Sequence, residues 1–85
     1  MLQEYLWPAG SKLAAYGYTA IRVRAFDGIA AREMARRALQ RRRGAQPRMA
    51  VSLKRSLLSA LTSDLMAEPR VRPAKGSPGV EFEGS

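Results

Sequence analysis

Apolar and polar residues alternate most clearly in YTAIRVRAF, residues 18–26. This period of two predicts a β-strand with one face turned to a core, formed by Ile21, Val23 and Ala25. The intervening positions on the other face are Arg22 and Arg24. A shorter segment, LQEYLW at 2–7, predicts an earlier strand, and turn-forming residues follow it from Pro8 to Ser11.

A helical period begins after Asp27, a residue type that often caps a helix N-terminus. The segment GIAAREMARRALQ predicts a helix whose buried part ends near residue 40, and Gly44 can serve as its stop. One arc of this helix is apolar, with Ala31, Met34, Ala35, Ala38 and Leu39. The opposite arc is polar, with Arg32, Arg36, Gln40 and Arg43.

Pro47 is compatible with the first turn of a second helix, which we expect to reach about Met66 before Pro69 ends it. Its apolar stripe consists of Leu53, Leu57, Leu58, Leu61 and Leu65. Its other side carries Ser52, Ser56, Ser59 and Ser63, joined by Arg55. We interpret the serines as a solvated face, and a closely packed partner helix is the alternative.

The last segment, EPRVRPAKGSPGVEFEGS, contains three prolines and three glycines, which is typical of a flexible chain. We therefore predict one domain at 1–67 and a flexible tail at 68–85. Within the tail, Val80 and Phe82 alternate with two glutamates. That short pattern leaves two alternatives open, docking on a partner or folding back on the basic residues.

The order strand, turn, strand, helix, helix predicts an α+β fold. We expect a small two-layer domain with short antiparallel strands, two following helices and a flexible C-terminal tail. A chain of 85 residues can bury only a limited core. We therefore expect a homo-oligomer or a place in a larger complex.

Composition argues against catalysis. The chain has no cysteine and no histidine, so it lacks thiolate ligands and the commonest general base. No phosphate-binding glycine loop or nucleophile elbow is present. The candidate acids Asp27, Glu33 and Asp64 have structural explanations. We expect a protein that is not an enzyme and that needs no cofactor or metal.

The net charge of +8 is concentrated in one part of the chain. Residues 32–55 contain nine basic residues and one acidic residue, Glu33, whereas the rest of the chain has six of each. Arginine outnumbers lysine twelve to three, which suits binding to phosphate, although a GC-rich genome also raises arginine and alanine together. The concentration of charge predicts an anionic partner, either nucleic acid or an acidic protein surface.

The candidate binding residues are arginines around the predicted helix end and connection. The first group is Arg36, Arg37, Arg41, Arg42, Arg43, Arg48 and Arg55, and the second group is Arg22 and Arg24. A continued helix would turn two of the adjacent arginines at 41–43 into the core, so they should project beyond it. Their charge would also complement the negative end of the helix dipole at the C-terminus, but three adjacent arginines are more than this role requires.

Our first hypothesis is a nucleic-acid-binding protein, a possible regulator, that contacts DNA or RNA phosphates. The strand–helix–helix order over about residues 18–66 resembles that of ribbon-helix-helix repressors. That resemblance implies a dimer whose paired strands enter the major groove, with Arg22 and Arg24 reading bases.

Two alternatives involve protein partners. One is a phage- or mobile-element-encoded inhibitor of a host machine, and the other is a small subunit of a ribosome- or virion-like assembly. Candidate anchors are Trp7, Tyr5, Tyr16 and Tyr18, although we interpret Trp7 and Tyr5 as core residues. No apolar run is long enough for a membrane span and no signal peptide is evident. We expect a cytoplasmic location, the host cytoplasm if the protein is viral.

Overall fold

A computed structural model describes residues 1–41 and 51–84, with side chains from residue 55 onward in the second range. The fold class is confirmed, because helices pack on an antiparallel sheet in a small α+β domain. Both predicted strands and both predicted helices are present. The elements are β1 (Gln3–Pro8), α1 (Ser11–Ala15), β2 (Tyr18–Ala25), α2 (Gly28–Arg41), α3 (Val51–Leu65), β3 (Arg70–Pro73) and β4 (Gly79–Gly84).

The sheet has the strand order β3-β1-β2-β4, and every neighbouring pair is antiparallel. In the register of the central pair, Tyr5 lies opposite Val23 and Trp7 lies opposite Ile21. All four side chains are buried. The alternation seen in the sequence therefore sets one face of β1 and β2 against the helices.

The short helix α1 is an element that the sequence pattern did not predict. It begins after Gly10, its Leu13 side chain is buried, and Tyr16 caps its C-terminal end after Ala15. Gly17 follows with φ +94°, a conformation that glycine adopts without the steric cost other residues incur. Five helical residues are too few to show a helical period, so the pattern alone could not reveal this helix.

The C-terminal segment corrects the prediction of a flexible tail at 68–85, because its strands β3 and β4 form the two edges of the sheet. Val80 and Phe82 pack against the core. The chain between the two strands crosses one end of the sheet, where the Ala74 N–H donates to the Leu2 carbonyl at 3.1 Å. Prolines and glycines indicated disorder, but backbone pairing with β1 and β2 stabilises these strands.

The core lies between the sheet and the helices, and its largest fully buried side chains are Trp7, Leu13, Ile21, Leu61 and Val23. From α2 it receives the small residues Ala31 and Ala35, which allow that helix to lie close to the sheet. Tyr5 and Trp7 belong to this core, as we had interpreted them. Neither ring is available as an anchor for a protein partner.

Arg32 corrects one detail of the predicted helical wheel. It is half-buried rather than placed on the solvent side of α2, and its Nε donates to the Leu65 carbonyl at 2.8 Å. The start of α2 therefore lies beside the end of α3. The chain segment 42–50 joins the other two helix ends, which are the C-terminus of α2 and the N-terminus of α3.

Candidate nucleic-acid interface

Arg22 and Arg24, the candidates for base contacts, are engaged by other groups of the same chain. Arg22 lies 2.8 Å from Glu4 through Nη1 and 2.9 Å from Glu83 through Nε. Its hydrogen bond to Glu83 raises the pKa of the Arg22 guanidinium. Desolvation lowers this pKa, but charge attraction to Glu4 and Glu83 raises it further, so the net change is upward. Arg24 donates through Nε to the Ser77 carbonyl at 2.9 Å. Both arginines hold the C-terminal strand segment in place.

The resemblance to ribbon-helix-helix repressors is wrong for this fold. In that arrangement, the strand of one subunit pairs with the same strand of a second subunit. Here β2 is a central strand, paired with β1 on one side and with β4 on the other. It has no free edge for a second copy, so a two-stranded ribbon carrying Arg22 and Arg24 cannot form.

The sheet face that turns away from the helices has nearly balanced charge. Arg72 of β3 lies 2.8 Å from Glu4, which also contacts Arg22. Among the described strands, this face carries the cations Arg22, Arg24, Arg70 and Arg72 and the anions Glu4, Glu81 and Glu83. A polyanion would therefore find few uncompensated cations on the sheet.

The helices present the opposite balance. Arg36, Arg37 and Arg41 of α2 are exposed, and so is Arg55 of α3. Arg37 contacts Glu33 at 2.9 Å, but both side chains are at least half exposed, so solvent and salt weaken this pair. Three further predicted site residues, Arg42, Arg43 and Arg48, lie outside the described residues.

A groove between α1 and α3 brings together residues that are distant in the sequence. It has a volume of about 560 Å³ and is open to solvent. Its lining residues are Lys12, Ala15, Tyr16, Arg55, Ser56 and Ser59. Arg55 was a predicted site residue, whereas Lys12 was missed because α1 itself was not predicted. Tyr16 had been considered only as an anchor for a protein.

Two contacts hold α1 against α3 and so define this groove. The Gly10 N–H donates to Oδ2 of Asp64 at 2.8 Å, which ties the start of α1 to the last turn of α3. Leu13 then inserts into the core. Ser59 and Ser63 of α3 are exposed.

Several acidic side chains are used for structural purposes away from the exposed arginines of the helices. Oδ1 of Asp27 accepts a hydrogen bond from the Ala30 N–H at 2.7 Å and so caps α2. Asp64 accepts from Gly10, and Glu4 and Glu83 pair with Arg22. Within the described ranges, no three acidic side chains gather as a metal site requires. The helix surface consequently keeps most of its positive charge.

Some large apolar side chains remain exposed near the start of α2 and the end of α3. Phe26 is 61% exposed, Ile29 is 82% exposed and Met66 is 79% exposed. The contact between Arg32 and Leu65 brings the two segments side by side. In the part of the chain that the structure describes, no helix is both long enough and apolar enough to cross a membrane.

Comparison with known proteins gave no relative. No family model, curated protein sequence or solved structure matches this chain.

Proposed function

We propose that the protein binds nucleic acid through a basic surface on its helices. We define this basic surface by its described cations, Lys12, Arg36, Arg37, Arg41 and Arg55. The observation that supports the proposal most strongly is the separation of charge. These cations are exposed, and Glu33 pairs with Arg37 among them, whereas on the sheet Arg22 and Arg72 pair with glutamates and Arg24 donates to a backbone carbonyl.

The proposed contacts are mainly to phosphate oxygens. Guanidinium groups form forked hydrogen bonds with phosphate, and each phosphate that is neutralised releases a bound counterion. The sequence adds Arg42, Arg43 and Arg48 to the segment that joins α2 and α3, which increases the charge along the same stretch of chain. Binding of this kind depends on salt and only weakly on base sequence.

The test measures affinity for a labelled oligonucleotide from about 50 to about 200 mM salt. One variant combines Arg36→Gln, Arg41→Gln and Arg55→Gln. The matched control combines Arg70→Gln, Arg72→Gln and Lys75→Gln, which removes three cations from outside the basic surface. Both variants lose the same net charge, so a difference between them reports position and not total charge.

We expect the first variant to reduce the salt slope by about one for each phosphate that is no longer neutralised, and the control to change it much less. If the salt slope changes equally in the two variants, binding depends on the net charge of the protein and not on the basic surface. An absence of binding to both DNA and RNA at low salt would exclude the proposed function.

A second candidate is a protein-binding module, either an inhibitor of a host machine or a subunit of an assembly. The observation that favours it is the exposure of Phe26, Ile29 and Met66, since clustered exposed apolar side chains often mark protein interfaces. A stoichiometric partner that survives nuclease treatment and is lost on Ile29→Lys would support this candidate. Recovery that depends on intact nucleic acid would oppose it.

A further inference from the structure

The groove between α1 and α3 combines two cations, two serine hydroxyls and a partly exposed aromatic ring. We propose that this groove binds single-stranded nucleic acid, with one base stacked on Tyr16 and with Lys12 and Arg55 contacting the adjacent phosphates. This inference rests on the proposed function and deepens it. It specifies single-stranded nucleic acid as the ligand and Tyr16 as the residue that favours single strands over duplexes.

Tyr16 differs from the other two tyrosines in its surroundings. Tyr5 is buried in the core, and the Tyr18 ring packs against Phe82 with centroids 5.7 Å apart. Tyr16 is 44% exposed and lines the groove. Tyr16 therefore lies at the groove and is partly accessible to solvent, as a residue that stacks on a base must be.

The position of Tyr16 is set by its backbone. The Tyr16 N–H donates to the Leu13 carbonyl at 3.0 Å, and the Gly17 N–H donates to the Ala14 carbonyl at 3.0 Å. Leu13 is buried, so this turn is attached to the core. Because the backbone that carries Tyr16 is ordered before binding, its ordering adds no further entropy cost when a base stacks on the ring.

The combination of groups favours a single strand over a duplex. A base can stack on a side chain only when its face is free, and the bases of a duplex stack on one another. Lys12 and Arg55 can contact the phosphates in either case. Hydroxyl groups such as that of Ser59 add hydrogen bonds to phosphate oxygens. Tyr16 should therefore affect single-strand binding selectively.

The experiment measures fluorescence anisotropy with labelled oligonucleotides of about 16 residues, single-stranded and duplex, as DNA and as RNA. Tyr16→Ala removes the ring, and Tyr16→Phe retains it. The matched control is Phe26→Ala, which removes an exposed aromatic ring that lies outside the groove. We expect Tyr16→Ala to weaken single-strand binding about 5- to 150-fold, because one stacked base contributes about 1–3 kcal/mol.

In the same experiment, duplex affinity should change less than about twofold in Tyr16→Ala, and Tyr16→Phe and Phe26→Ala should bind like the unmodified protein. Lys12→Gln should flatten the salt slope of single-strand binding by about 0.7, and Lys75→Gln should not. Circular dichroism checks that each variant is folded. If Tyr16→Ala does not fold, Tyr16→Leu, which retains apolar bulk without a stacking face, decides the question.

The possible outcomes separate this inference from the proposed function. If the protein binds single strands and duplexes but Tyr16→Ala leaves single-strand affinity unchanged, the inference is wrong and the proposed function stands. Equal losses on single strands and duplexes would also overturn the inference. If the protein binds neither single strands nor duplexes at low salt, the inference and the proposed function are both wrong. Comparison of the affinities for single-stranded DNA and single-stranded RNA shows which sugar the groove prefers.

Discussion

The guanidinium of Arg32 lies 5.5 Å from the centroid of the Trp7 ring, and both side chains donate to carbonyl groups near the C-terminal end of α3. Arg32 donates to Leu65 at 2.8 Å, and Nε1 of Trp7 donates to Ala67 at 2.9 Å. The last carbonyls of a helix have no partner within it, and a cation there also interacts favourably with the negative end of the helix dipole. This pair therefore ties α2, α3 and β1 together.

Replacement of Arg32 should reduce stability more than replacement of an arginine on the basic surface. We expect Arg32→Gln to lower the free energy of unfolding by about 1–2 kcal/mol, because it removes charged hydrogen bonds and the contact with Trp7. Arg36→Gln, four residues further along α2, should change it by less than about 0.5 kcal/mol. Denaturant unfolding measures both. Equal values would mean that the contacts of Arg32 contribute little.

Gly10 and Asp64 should show strongly coupled substitutions. A Cβ at position 10 would collide with the Asp64 carboxylate, so that carboxylate, which accepts from the Gly10 N–H, would have to move. We expect Gly10→Ala to cost about 1–3 kcal/mol alone, but much less when Asp64→Ala is already present. A double-mutant cycle by chemical denaturation measures the coupling. Additive effects would contradict the close approach of these residues.

The four-stranded sheet predicts that the C-terminal residues contribute to stability. Phe82→Ala should lower the free energy of unfolding by about 2 kcal/mol, because the ring packs against the core and against Tyr18. Deletion of residues 79–85 should have a larger effect and expose the edge of β2. Glu81→Gln, on an exposed position of the same strand, is the control. A flexible tail would leave the thermal midpoint unchanged in all three variants.

Arg22 should affect folding and not nucleic-acid binding. Arg22→Gln removes both contacts with Glu4 and Glu83, so we expect a lower thermal midpoint. Its salt slope for oligonucleotide binding should match that of the unmodified protein, because Arg22 lies on the sheet face opposite the helices. Arg55→Gln should give the reverse pattern, with a flatter slope and little change in midpoint. If Arg22→Gln flattens the salt dependence of oligonucleotide affinity, the sheet face contributes to binding, contrary to this prediction.

Local patterns predicted much of the fold. The alternation around Ile21 produced β2, and Asp27 caps α2 through the Ala30 N–H as its residue type indicated. These features depend on neighbours in the chain, so the sequence displays them directly. Strands β3 and β4 depend on pairing with β1 and β2. That pairing is not visible in a segment rich in proline and glycine.

For the candidate site, the sequence by itself determined the identity and the concentration of the arginines, and helical spacing placed Arg36 and Arg55 on polar helix faces. Only the tertiary structure decided which cations remain available. It paired Arg22 with glutamates from β1 and β4, and it brought Lys12 of α1 and the following Tyr16 beside Arg55. The physical reason is that ion pairs and grooves depend on distances between elements, whereas helix and strand periods depend on adjacent residues.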